Sequence, residues 1–184
     1  MRPFSFLLRE FFLEGLRRRV PGFPLGICRI AIGLMWLGAA SWKAPPDFGQ
    51  MTDSGLWAWT MQALQHPTVS FYQLWLERVV LPNFSFFGYL LLILELYVGV
   101  SLLLGLFTRL PSAVGFLLSL NLLLALSGVP GECPWTYIMM ILFHFTFVVS
   151  SPGQNWGLDQ IWMENMANWP DSTSKLKRFL LRLI

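Results

Sequence analysis

The chain has 184 residues, 55% of them hydrophobic and only 12% charged, with sixteen phenylalanines and nine tryptophans. A soluble domain carries about twice that share of charge, so the composition excludes a water-soluble fold and points to one integral membrane domain over residues 1–184. The net charge of +3 is small, and its distribution along the chain says more than its size.

Residues 1–23 predict an amphipathic helix lying in the membrane surface. Phe4, Leu7, Leu8 and Phe11 form an apolar stripe, while Arg9, Arg17, Arg18 and Arg19 supply positive charge. A cleavable signal peptide fits less well, because Arg9, Glu10 and Glu14 break the apolar run and no small-residue cleavage site follows. Pro21 and Pro24 mark the turn into the bilayer. Residues 24–42 are the first predicted span, with Arg29 on the same face as Gly33, Trp36 and Ala40. Trp42 and Lys43 end it at the interface.

Residues 44–83 are too long and too aromatic for a plain connector. Two short helical patterns run near 56–64 and 69–80, the second capped by Thr68. Trp57, Trp59, Phe71, Tyr72 and Trp75 suit a Trp-rich extracytoplasmic loop, at the interface or folded over the bundle mouth. Pro82 and Asn83 lead into the central span, residues 84–106. That length makes roughly 34 Å of helix, enough to cross a ~30 Å hydrocarbon core. Glu95 sits at its middle, where a carboxylate must be protonated, paired or turned to a polar cavity. Gly99, one turn further on, lets a neighbouring helix approach closely. Residues 110–126, holding Asn121, and residues 134–149, holding His144, are the third and fourth spans. Residues 174–184 predict a second interfacial helix, with Leu176, Phe179, Leu180 and Leu183 on one face and four basic residues elsewhere. The predicted fold is therefore an all-α integral membrane four-helix bundle with amphipathic helices at both ends.

With four spans, both termini share a side with the Thr108 turn. Ten of the thirteen Lys and Arg residues fall on that side, against Lys43 and Arg78 on the other and Arg29 inside the membrane. The positive-inside rule then predicts cytoplasmic termini. By depth along the helices, Glu95 and Asn121 lie near mid-membrane, with Arg29 and His144 about one layer nearer the cytoplasm. An Arg side chain is long enough to reach a mid-membrane carboxylate, so the spacing predicts a polar cluster of Glu95, Arg29, Asn121 and His144. Two readings of it stand. In one, Arg29 and Glu95 form a buried ion pair fixing helix register, with Asn121 as interhelical glue. In the other, the cluster lines a proton path or hydrogen-bonds a quinone carbonyl.

Cys28 and Cys133 fall near opposite membrane faces, too far apart for a disulfide. No CxxC pair or metal-ligand His spacing is present, so no metal site and no cofactor held by this chain alone is expected.

The stretch VVLPNFSFFGYLLLILELYVGVSLLLGLFTR resembles the DoxX/DoxD family. The family's Glu–x–x–x–Gly–x–x–Leu–x–x–Gly–x–x–Thr–Arg pattern falls on Glu95, Gly99, Leu102, Gly105, Thr108 and Arg109. Arg29, Gly33 and Lys43 are similar to its first-span pattern, and GECPWTYIMM and GQNWGLD to its fourth-helix start and closing motif. The resemblance covers roughly residues 25–159. Gln154 stands where the family typically has Arg, which weakens any anion-binding role there. The resemblance implies a four-helix membrane bundle, multi-pass in a bacterial or archaeal cytoplasmic membrane. It also implies the membrane subunit of a thiosulfate:quinone oxidoreductase, with electrons supplied by a partner subunit. Glu95 and Arg29 would then handle the quinone and its protons, with Asn121, His144, Gly99 and Gly33 structural or lining the cavity. The implied partners are membrane lipid, protein subunits and a quinone, and not nucleic acid. A non-catalytic subunit anchoring a larger respiratory or photosynthetic complex is the alternative, and a small-solute transporter the third.

Overall fold

A computed structural model describes residues 22–167. The interfacial helices expected at 1–23 and 174–184 lie outside the described residues, except that Gly22 and Phe23 belong to the first spanning helix. Among the described residues every regular element is helical: α1 Gly22–Ser41, α2 Gly55–Gln65, α3 Ser70–Trp75, α4 Phe84–Leu104, α5 Arg109–Leu126, α6 Pro134–Ser150 and α7 Leu158–Ala167. Pro24 falls in the first turn of α1, where its missing N–H costs nothing.

Three segments are long and apolar enough to cross a membrane: Gly22–Ser41, Ser70–Leu104 and Arg109–Leu126. The chain is a multi-pass membrane protein. α6 is apolar but has 17 residues, about 26 Å of helix, short of a ~30 Å core.

The second of the three segments departs from the sequence expectation. Residues 70–80 are helical as expected, but no break separates them from the central span. α3 runs through a π turn, Leu76–Val80, and a 3-10 turn, Leu81–Asn83, directly into α4. Pro82 lies in that 3-10 turn, so the changed hydrogen-bond pattern absorbs a residue that cannot donate, and the helical path continues. Thr68 does not cap α3 either; Val69 occupies that position with no side-chain cap. The Thr68 hydroxyl instead takes the Gly128 N–H at 3.0 Å and meets Ser127 Oγ at 3.1 Å, tying the α2–α3 connection to the end of α5.

α1 packs closely on α4 and α5 on α6; α4 also meets α5, and α1 touches α6 more sparsely. The α1–α4 crossing is close because Gly33 and Gly99 face each other. A Cβ on Gly33 would lie 2.8 Å from Leu103 N and 3.0 Å from Gly99 O, and both of those are backbone. The central core is built from Ile32, Trp36, Val98, Leu102, Leu118 and Phe147. A second cluster, with Phe48, Ala63, Leu76 and Phe84, seats residues 42–83 on the start of α4. Phe48 fits a notch at Gly88 that a side chain would fill, and meets Tyr89 edge to face at 4.8 Å. The loop backbone that delivers it is tightly turned, with positive φ at Ala44, Phe48 and Gly49. That loop begins at Lys43, and α2 and α3 behind it form a roof over one end of the helices.

Candidate functional site

Beneath this roof lies a partly open cavity of about 720 Å³, walled mainly by apolar side chains of α1–α6. Four tryptophans line it, Trp36, Trp42, Trp59 and Trp75, with Phe84 and Phe87 from the start of α4. The polar groups on its wall are few: Lys43, Glu95, Tyr72 and Asn121, with Thr60, Glu132 and Tyr137. A largely apolar hollow with a small set of placed polar groups is the usual form of a small-molecule site.

Glu95 is 1% exposed and Lys43 2%. Lys43 lies just past α1, and its ammonium reaches inward to donate to Glu95 Oε1 at 3.0 Å. The same ammonium stands 4.6 Å from the centroid of the Trp42 ring, a cation–π contact that further compensates its burial. Glu95 Oε2 is buried with no hydrogen-bond partner. A buried carboxylate oxygen left empty is costly, and this one belongs to a side chain on a cavity wall.

Across the cavity, Tyr72 donates its hydroxyl to Asn121 Oδ1 at 2.8 Å, joining α3 to α5. His144 stands outside the cavity wall. Its Nε2 accepts the Trp36 indole N–H at 2.8 Å, so a neutral ring carries its proton on Nδ1. Gly115 of α5 lies directly against the imidazole, leaving no space for a side chain there. His144 thus orients Trp36, which does line the cavity.

The expected Arg29–Glu95 pair does not form. Arg29 is fully buried at the far end of α4, where Nη1 donates to the Leu102 and Leu103 carbonyls and Nη2 to Trp156 O at 2.9 Å. These are carbonyls of the last turn of α4 and of the loop before α7, so the guanidinium sits at the negative end of a helix. The physical reason is that Lys43 already compensates Glu95, while the last carbonyls of α4 offer Arg29 acceptors at the negative end of a helix. Of these, Leu102 O otherwise takes only the Gly105 N–H at 3.2 Å among the described residues. The predicted four-residue cluster is accordingly divided: Glu95 and Asn121 share the cavity, His144 backs its wall, and Arg29 belongs elsewhere. Gly33 and Gly99 form the α1–α4 crossing and do not line the cavity.

Arg29 shares its surroundings with Asp159, the last residue of the GQNWGLD motif. Asp159 Oδ1 accepts the Phe107 N–H at 2.6 Å, and Oδ2 accepts the Thr108 N–H at 3.0 Å and the Thr108 hydroxyl at 2.9 Å. Its own N–H returns to Gly105 O at 2.9 Å. The carboxylate therefore occupies the positive end of α5 while Arg29 occupies the negative end of α4, across the turn that joins them. Glycine is required around it. Gly105 has φ +68°, and a Cβ there would meet Gly157 Cα at 2.6 Å and the Arg29 guanidinium at 2.7 Å; Gly153 abuts the Asp159 carboxylate itself. Burial pushes the Asp159 carboxyl above its ordinary 3.8, against the opposing pull of the Thr108 and Phe107 amides, the Thr108 hydroxyl and the Arg29 charge.

Sequence reasoning missed three participants. Lys43 reads as an ordinary interfacial end of a span; its side chain turns inward to Glu95 just before a tight turn that leads to Phe48 docked at Gly88. Tyr72 reads as one aromatic among many, and its partner is 49 positions away. Asp159 stands in a recognisable motif, but nothing local shows that it caps a helix 51 positions upstream. Among the described residues, no three His, Cys, Asp or Glu side chains converge as a metal site.

No curated protein and no solved structure matches this chain. Residues 23–183 match the family described as "TQO small subunit DoxD". That match takes in α1, the Lys43–Glu95 cavity and the Arg29–Asp159 turn together, and the chain belongs to the DoxD family.

Proposed function

We propose that this chain is the quinone-binding membrane subunit of a thiosulfate:quinone oxidoreductase-type complex, and that its cavity holds the quinone head. In this reading α6 completes a four-span bundle, both termini are cytoplasmic by the ten-to-two distribution of basic residues, and the Trp-rich roof lies on the opposite side.

The observation that carries this reading is the Lys43–Glu95 pair on an aromatic-lined cavity, with Glu95 Oε2 buried and unpartnered. A quinone becomes a quinol by taking two electrons and two protons. A partner subunit supplies the electrons, drawn from thiosulfate, and the two protons come from water through the open side of the cavity, with Glu95 passing them to the reduced oxygens. Lys43 offers N–H donors to a quinone oxygen. Glu95 Oε2 accepts the O–H of the quinol, so the pair favours the reduced product over a bare carbonyl. The tryptophan rings stack on the head and keep bulk water from it. The Tyr72–Asn121 bond leaves the Asn121 amide nitrogen as a further donor on the opposite wall.

The test uses Glu95→Gln, which keeps size and hydrogen bonding but cannot exchange protons in the working range. Quinone binding is read from quenching of the cavity tryptophans, and turnover from the assembled complex. The expected result is normal assembly with quinone-dependent turnover lowered by about 10²–10⁴-fold, the range of a lost proton-transfer group. Unchanged turnover per assembled complex would leave an anchoring subunit as the better reading.

A further inference from the structure

The main cavity has a smaller neighbour. Between α1 and α6 lies a hollow of about 340 Å³, walled by Ile32, Met35, Trp135, Met139, Met140 and Phe143, with Thr136 its one hydroxyl. Met35 and Met140 also wall the main cavity, so the two spaces are separated by methionine side chains. Trp135 and Met139 are 69% and 51% exposed, apolar groups on helices that stand in hydrocarbon under the topology proposed above. α1 and α6 touch sparsely, whereas α1–α4 and α5–α6 are closely packed. Methionine is unbranched and repacks readily around an irregular guest. A partition of two methionines in a loosely packed seam is the kind of wall that opens without disturbing the helices.

We infer that the α1–α6 hollow is the lipid-side entrance and tail site of the main cavity. Its ligand is an amphiphile dissolved in the bilayer. The polar head reaches Lys43 and Glu95, and the apolar tail passes between Met35 and Met140 and leaves over Met139 and Phe143 into hydrocarbon. The inference rests on the four-span reading and deepens the quinone proposal by specifying a tailed ligand. Two features of the site fit such a guest together. Glu95 Oε2, which has no protein partner, can accept an O–H from a hydroxyl head such as the quinol at the inner end, and the outer hollow is almost entirely apolar. A free polar solute satisfies the first and not the second. A plain lipid chain satisfies the second and not the first. Leu90 and Leu117 also line the cavity and are exposed, which makes the α4–α5 seam the competing exit. Those helices pack more closely than α1 and α6, and no methionine stands between them on the cavity wall.

The full chain in lipid nanodiscs is photolabelled with two probes carrying the same decyl tail with a diazirine at its end. One has a benzoquinone head and the other a phenol head. Only labelling displaced by excess unlabelled probe is scored, and the sites are mapped by mass spectrometry. The inference expects displaceable labelling on Met35, Trp135, Met139 and Phe143. Labelling on Leu90 and Leu117, or on Trp42 and Trp59, overturns it, as does labelling that no competitor displaces. Met139→Trp fills the hollow and should weaken the tailed probes roughly tenfold, about the loss of two buried methylenes, while a tail-less quinone head binds as before. Equal weakening of tailed and tail-less ligands also overturns it. The two proposals fail separately. If the phenol probe labels the hollow and quinone does not displace it, the entrance stands and the quinone reading falls. If quinone displaces labelling at Leu90 and Leu117, the quinone reading stands and the entrance falls.

Discussion

Two buried charged sites divide this protein, and they use their charges differently. At Lys43–Glu95 the opposite charges meet directly at 3.0 Å, and one carboxylate oxygen is left without a partner beside a cavity. At Arg29–Asp159 each charge serves a helix end, and both Asp159 oxygens are occupied by donors from the α4–α5 turn. Glycines close around the second site so tightly that a methyl group does not fit. The first stands on a space large enough for a guest. Burial of charge is common to both and says nothing by itself about chemistry. Arg29 Nε at the second site is also buried without a partner, so it is open volume beside the unpartnered atom, more than the missing bond itself, that separates a ligand site from one that fastens helices together.

The largest expected effect belongs to the fastening site. Asp159→Ala strips the acceptor from two backbone amides and a buried hydroxyl and leaves Arg29 without its nearby negative charge. It should cost about 3–5 kcal/mol in thermal unfolding, with quinone affinity per folded molecule unchanged. A loss of affinity at equal folded fraction would join the two sites and erase the contrast.

A smaller loss is expected at the cavity. Glu95→Leu isolates the Lys43 ammonium, but water can enter the cavity and solvate it, so the cost should be about 2–3 kcal/mol, below that of a fully enclosed pair. The double change Lys43→Leu with Glu95→Leu should recover most of it. A thermal-stability cycle in which the single changes simply add would show that the two residues are not coupled. Arg29→Leu combined with Glu95→Leu should be additive, since those residues serve different sites.

Next comes Asn121→Leu, which removes the acceptor of the Tyr72 hydroxyl and loosens the roof from α5. Interhelical side-chain bonds in membranes are worth about 0.6–2 kcal/mol, and a loss in that range should appear in the unfolding midpoint. A loss beyond it would mean that the roof is held mainly by this bond, more than by Phe48 at Gly88 and by the edge-to-face contact of Trp57 with Phe84 at 5.0 Å.

The smallest effect is a slope with pH. Burial raises the Asp159 carboxyl above 3.8, so the folded chain holds this proton to higher pH than the unfolded chain does. The contribution of this group to stability is then fully present below about 3.8 and is lost as pH rises through the folded value. Asp159→Asn should remove that part of the slope whatever its overall cost, read as the difference in unfolding midpoint between acidic and neutral buffer. A slope that survives in Asp159→Asn assigns it to another group.

Much of this architecture is determined by the sequence alone. The apolar runs around Arg29, Glu95 and Asn121 dictate spanning helices, because a backbone in hydrocarbon must satisfy its own hydrogen bonds. Glu95 stands out as costly in the middle of such a run, and Gly33 and Gly99 mark where helices can approach. The Thr108 and GQNWGLD motifs are legible as motifs, though not as contacts. Only the tertiary structure decided which charge faces which. Depth along a helix ranks residues by layer and leaves their rotation and lateral neighbours open, so it makes Arg29 the partner of Glu95 and leaves Lys43 at the interface. Elements far apart in the chain meet at each site: Lys43 reaches Glu95 beside the loop whose Phe48 docks at Gly88, and Asp159, Trp156 and the end of α4 build the cradle that takes Arg29. Such choices depend on how helices pack side by side, and no local pattern of residues encodes that.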